Sequence, residues 1–90
     1  MTERFRTPPQ VYAKRFDEDT IILDLAGGNY FALDAVGSSI WDQLTTGNTF
    51  DATVAQIVGH YDVDEATARA HARGLVRQLV NARLLEPSEK

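Results

Sequence analysis

The sequence predicts an α+β fold in which a three-stranded antiparallel sheet is followed by three helices packed on one face of that sheet. The chain up to Asp34 contains short β-branched and aromatic runs, separated by an acidic turn and by a glycine pair. The remaining residues place apolar side chains at helical spacing in three segments, each preceded by an aspartate or a threonine.

The three strands are predicted at residues 10–16, 20–26 and 29–33. The second strand is rich in β-branched residues, which favour strands. Three adjacent acids at residues 17–19 are typical of a solvated turn. Gly27 and Gly28 can adopt the positive φ of a tight two-residue hairpin turn.

Such a turn would pair Asp24 with Phe31 and Ile22 with Leu33. Tyr30 and Ala32 would then share the opposite face of the sheet. Both faces carry apolar residues, which is unusual for a sheet with one solvated face. Two interpretations stay open: part of one face serves a ligand, or an aromatic side chain simply covers the sheet.

The helices are predicted at residues 35–46, 50–61 and 65–83. Asp34, Thr49 and Asp64 are good N-caps for them. Gly47 suits the C′ position that ends the first helix, and Pro87 prevents extension of the last.

The composition predicts one small domain over residues 10–87, preceded by a flexible arm over residues 1–9. The chain has no cysteine, and its net charge of −4 argues against nucleic acid as a partner. No signal peptide or membrane span is present, so we expect a cytoplasmic protein without a membrane partner. No residue spacing suggests a catalytic triad, a metal site or a cofactor, so we expect no enzyme.

A family resemblance is carried by residues 28–44, which read G-x-Y-F-x-L-D-x-x-G-x-x-I-W-x-x-L. This pattern resembles the PqqD-like proteins, the RiPP recognition elements, and most of all the free-standing leader-binding protein of lasso-peptide pathways. The resemblance implies a winged helix-turn-helix-like fold that binds the leader segment of a ribosomally made precursor. It also implies two partner enzymes, a leader peptidase and possibly a cyclase, and leader anchors of the tyrosine, proline and leucine kinds.

The third strand is predicted to be a sheet edge, whose unpaired backbone groups could accept a peptide as an added strand. With the resemblance, we expect the peptide to lie between this strand and the third helix. The residues expected to bind it are Asn29, Tyr30, Phe31, Ala32, Leu33, Asp34, Ala68, Arg69, Ala72, Arg73, Leu75, Val76 and Leu79.

Two features of the third helix allow more than one interpretation. Arg69, Arg73 and Arg77 recur at a spacing of four residues and share one face, which could be solvated, bind an acidic peptide or contact DNA. Gly74 could open a docking groove or allow close packing against another helix. A DNA-binding winged-helix regulator is therefore one alternative function. The resemblance to the PqqD-like proteins implies another, a partner of a radical SAM enzyme.

Overall fold

The computed structural model describes residues 3–88 and contains two small antiparallel sheets and three helices. The elements in chain order are β1 Arg4–Arg6, β2 Val11–Phe16, β3 Asp19–Asp24, β4 Asn29–Leu33, α1 Ala35–Thr45, α2 Phe50–His60, α3 Glu65–Asn81 and β5 Glu86–Ser88. The predicted α+β architecture is confirmed: β2, β3 and β4 form a meander in sequence order, and the three helices follow it.

The β3–β4 hairpin has a longer turn than predicted. Asp24 pairs with Asn29, so residues 25–28 form a four-residue loop in place of the two-residue turn at Gly27 and Gly28. The predicted pairing is therefore wrong by two residues.

The side chain of Asp24 accounts for this longer loop. Its carboxylate accepts hydrogen bonds from the backbone N–H groups of Ala26 and Gly27, both at 3.1 Å. Its carbonyl oxygen accepts a further bond from the Gly28 N–H at 2.8 Å, and Gly28 adopts a φ of 76°. Aspartate folding back on the following backbone in this way is a common means of forming a turn.

The shift of two residues leaves the predicted faces unchanged, because side chains alternate with a period of two. Ile22 and Leu33 are buried and point toward the helices, with Phe31 half-buried beside them. Tyr30 lies on the opposite face and is 72% exposed. The inward face of the sheet is thus the one that carries Ile22.

All three predicted helix caps are confirmed. Asp34, Thr49 and Asp64 each accept a hydrogen bond from a backbone N–H in the first turn of the helix that follows. Hydrogen bonds from the side chain and backbone of Thr67 hold the pKa of Asp64 below its ordinary value. Gly47 follows α1 with a φ of 100°, as expected for a C′ glycine.

The core lies between the inward face of the sheet and the three helices. Trp41 belongs to it at 4% exposure. The buried apolar side chains are Phe5, Ile22, Leu33, Ile40, Trp41, Leu44, Phe50, Val54, Ile57, Ala68, Ala72, Val76, Leu79, Leu84 and Leu85.

The N-terminal segment is ordered by the other end of the chain. Arg4–Arg6 pairs antiparallel with Glu86–Ser88, and Phe5 is buried in the core. Within the predicted flexible arm over residues 1–9, Arg4–Arg6 therefore forms a strand, while Met1 and Thr2 lie outside the described residues. No helix within residues 3–88 is long and apolar enough to cross a membrane.

Phe5→Ala is expected to lower the free energy of unfolding by about 3 kcal/mol, because it leaves a cavity where β1 meets the core. Urea unfolding followed by circular dichroism measures this change. Arg6→Ala is the control, since it removes only an exposed ion pair with Glu86 and should cost about 1 kcal/mol or less. Equal stability of the Phe5 variant and the wild type would mean that β1 does not hold the fold.

Candidate functional site

The backbone hydrogen bond directly after β3 shows which residues of this strand point their N–H and C=O groups toward β2 and which toward β4. The Leu25 N–H donates to the Gln10 carbonyl at 2.9 Å, so at Leu25 the hydrogen-bonding groups point toward β2. This direction alternates along an antiparallel strand. Asp24 and Ile22 therefore direct their backbone groups toward β4.

The alternation fixes which groups of β4 remain unpaired. Asn29 and Phe31 stand opposite Asp24 and Ile22 and bond with them. Tyr30 and Ala32 consequently direct their N–H and C=O groups away from β3, to an edge where no strand of residues 3–88 pairs with β4. β4 thus presents a hydrogen-bonding edge that another extended chain can occupy.

This edge borders a groove of about 550 Å³ between β4 and α3. One wall comes from the end of β4 and the start of α1, and the other from a single face of α3. The lining residues are Phe31, Ala32, Leu33, Asp34, Gly37, Ala70, His71, Gly74, Leu75 and Gln78. The groove therefore combines an open backbone edge with a mostly apolar trough.

A second, smaller pocket of about 220 Å³ continues the groove toward α2. Asp34 and His71 line both spaces, so the two are contiguous. The other residues of this pocket are Val36, Ile57, Tyr61, Val63, Thr67 and Ala68.

The junction of β4 with α1 positions the first wall of the groove. Asp34 accepts a hydrogen bond from the Gly37 N–H at 2.8 Å and so starts α1 immediately after the strand. A Cβ at Gly37 would lie 3.3 Å from side-chain atoms of Leu33 and of Asp34. The strand and the helix therefore approach so closely that a larger residue at this position would require Leu33 or Asp34 to shift by a few tenths of an ångström.

The predicted binding residues of β4 divide between the groove and the solvent. Phe31, Ala32, Leu33 and Asp34 line the groove, as the prediction requires. Asn29 and Tyr30 do not, because Asn29 lies beside the hairpin loop and the Tyr30 side chain is on the outer face. The backbone of Tyr30 nevertheless belongs to the open edge.

Most of the predicted binding residues of α3 do not line the groove. Leu75 lines the groove, whereas Ala72, Val76 and Leu79 are buried in the core. Ala68 is 2% exposed and only borders the second pocket. The apolar periodicity of α3 identified the side of the helix that faces the core, whereas the groove is lined by the adjacent side.

Arg69 and Arg73 are engaged by the protein itself. Arg69 pairs with Asp51 at 2.8 Å and with Glu65 at 3.1 Å, and these hydrogen bonds raise the pKa of its guanidinium. Arg73 pairs with Glu3 at 2.7 Å and stacks 4.0 Å from the ring centroid of Phe50. Neither lines the groove, and their contact with a peptide stays a prediction.

Sequence reasoning missed Ala70, His71 and Gln78, which form the α3 wall with Leu75 and Gly74. His71, Leu75 and Gln78 share one helix face at spacings of four and three residues. Small and polar residues on a helix face normally indicate solvent exposure, so this pattern carried no signal of a binding surface.

The arrangement of an open strand edge beside a groove can bind an extended chain. Neither the groove nor the second pocket is lined by serine, cysteine or lysine. Within residues 3–88, no cluster of histidine, cysteine, aspartate or glutamate side chains could hold a metal ion. An open strand edge above an apolar groove is a known mode of peptide recognition.

The fold and the groove define a small α+β module of the peptide-recognition type. The chain belongs to the PqqD family, because the family model described as coenzyme PQQ synthesis protein D matches residues 19–85. No protein of curated function matches the chain in sequence.

Two solved structures are similar to this chain over nearly its whole length. TbiB1, solved in complex with the TbiA(beta) leader peptide, is 37% identical, with 90% of this chain and 94% of TbiB1 covered and a TM-score of 0.85. A lasso peptide synthetase B1 complexed with the leader peptide is 23% identical, covers 93% of this chain and 99% of its own, and has a TM-score of 0.86. At that identity, the second structure shows the shared fold alone.

Arg73→Ala is expected to lower the free energy of unfolding by about 1 kcal/mol, because the stacking on Phe50 and a half-exposed ion pair are both lost. Arg77→Ala is the matched control, as it removes the same charge from an exposed position one turn further along α3. Chemical denaturation measures both. An Arg73 variant as stable as the Arg77 variant would contradict a structural role for Arg73.

Proposed function

We propose that this chain is a RiPP recognition element that binds the leader segment of a precursor peptide in a lasso-peptide pathway. The observation that carries the proposal is the open edge of β4 above the groove lined by α3. It is supported by the likeness to TbiB1, which was solved with a leader peptide bound.

The leader would lie along β4 as a fourth, antiparallel strand. The backbone groups of Tyr30 and Ala32 would supply its hydrogen bonds, which give affinity without reading the leader sequence. Alternate leader side chains would point inward beside Phe31 and Leu33, into the groove, and the others would face outward beside Tyr30.

Sequence preference would come from the two apolar spaces. Inward side chains opposite Phe31 and Leu33 meet Leu75 in the main groove. A further apolar side chain beyond Asp34 would reach the second pocket, which Ile57 and Val63 line. Burying apolar area there would stabilise the complex by about 25 cal/mol per Å² at most, since binding also orders the leader.

The chain would act as a non-enzymatic adaptor in the cytoplasm, where ribosomal precursors are made. Holding the leader would raise the local concentration of the precursor at the leader peptidase and the cyclase of the same pathway. The lining of the groove supports this division of labour, because it contains no serine, cysteine or lysine side chain.

The alternative of DNA binding loses its main support. The arginine face of α3 was its basis, but two of its three arginines form ion pairs within the protein, Arg69 with Asp51 and Glu65, and Arg73 with Glu3. The third, Arg77, is exposed. Phosphate contacts require arginine or lysine side chains available to replace counterions.

Ala32→Pro tests strand addition directly. Proline removes the N–H that faces the free edge, and edge strands tolerate proline there, so we expect a folded variant whose leader affinity falls roughly tenfold or more. A precursor peptide is first sought in the genes that flank this one, and its leader, the encoded leader, is labelled as the probe for fluorescence anisotropy. The TbiA(beta) leader is the second probe.

The matched control is Ala13→Pro on β2, the opposite edge of the same sheet. By the same alternation, the Ala13 N–H faces outward, and Ala13 is exposed like Ala32. This variant should bind the leader as the wild type does. If both proline variants bind at wild-type strength, strand addition to β4 is refuted.

Leu75→Ala should weaken leader binding by about 1–2 kcal/mol, because it removes apolar surface from the groove wall. Val80→Ala on the same helix is the control, since Val80 is similarly half-buried but lines a separate pocket. Thermal unfolding of both variants separates binding from folding. Equal leader affinity of the two variants would place the ligand elsewhere.

A further inference from the structure

Gly74 has no structural reason to be glycine. It lies in the interior of α3, where glycine is among the least favourable residues, and it is exposed. A Cβ built on Gly74 meets no atom within 4 Å. The close helix packing that the sequence allowed for this position is therefore absent.

For three other glycines, the structure explains why a glycine is present. Gly28 and Gly47 adopt positive φ angles, and Gly37 lies against Leu33. Gly59 resembles Gly74 in having open space at its Cβ, but it lies one residue from the end of α2 and outside the groove. Gly74 instead lines the groove that faces the open edge of β4.

We infer that Gly74 sets the size of the leader side chain that the groove accepts. This inference rests on the proposed leader binding. Of the leader residues that point inward from the added strand, one packs on the α3 backbone at Gly74, between His71 and Gln78. The ligand class is thus a leader with a large apolar side chain, of leucine size or greater, at that inward position.

The absence of a side chain gives the groove its depth at this point. A methyl group at residue 74 would occupy the space that the ligand side chain needs, yet it would favour the helix. Fold stability and leader affinity should therefore change in opposite directions. A glycine with only a structural role would not show this opposition.

The first experiment compares Gly74→Ala and Gly74→Leu with the wild type. We expect the alanine variant to unfold about 4 °C higher and to bind the encoded leader several-fold more weakly. The leucine variant should stay folded and lose at least roughly tenfold in affinity. Gly59→Ala and Gly59→Leu are the matched controls and should leave leader affinity unchanged.

The second experiment identifies the leader residue that contacts Gly74. Each large leader residue is replaced by alanine in turn, and every leader is titrated against the wild type and Gly74→Leu. One alanine-substituted leader should bind the wild-type protein more weakly than the native leader does. The same substituted leader should bind Gly74→Leu at least as tightly as the native leader binds Gly74→Leu. Such non-additivity is the mark of a direct contact.

The outcomes separate this inference from the proposed function. A folded Gly74→Leu variant with wild-type affinity overturns the role of Gly74 while leaving strand addition intact. Reduced affinity that no alanine leader restores also overturns it, because the loss would then not reflect side-chain size. Failure of the wild type itself to bind the encoded leader would refute the proposed function and this inference together.

Discussion

The junction between β4 and α1 is the constraint on which the groove depends. Asp34 ends the strand and caps the helix in a single step, and Gly37 allows the two elements to touch. Beneath them, the Thr20 hydroxyl donates to Ser38 Oγ at 2.7 Å in the buried interior, which ties β3 to α1. Breaking such a buried bond is costly. The junction therefore positions the end of β4 and the start of α1, which together form one wall of the groove.

Most of the fold follows from local patterns in the sequence. The strands, the three capped helices and the sets of residues that share each sheet face could be predicted, because caps and alternation are properties of neighbouring residues. Which face points inward was left open, since both faces carry apolar residues. The hairpin register could not, since it depended on how the Asp24 side chain folds over its own loop. The pairing of Arg4–Arg6 with Glu86–Ser88 joins the two ends of the chain, and neither short segment signals its partner.

The site was harder to predict than the fold. The edge of β4 was identified from its place at the end of the meander, but the face of α3 was not. Val76 and Leu79 have the periodicity of a core face, whereas His71 and Gln78 look like solvated residues although they wall the groove. Arg73 lies on the side of α3 opposite to His71 and Gln78 and stacks on Phe50 of α2. The face that carries His71 and Gln78 is the one that lines the groove.

Amide hydrogen exchange at the two edges of the sheet tests the central claim most directly. The account predicts that adding the encoded leader slows exchange at the Tyr30 and Ala32 N–H groups, which face the open edge of β4. Ala13 and Arg15, on the outer edge of β2, should exchange at unchanged rates. Unchanged exchange at Tyr30 and Ala32 in a saturated complex would contradict binding by strand addition to β4.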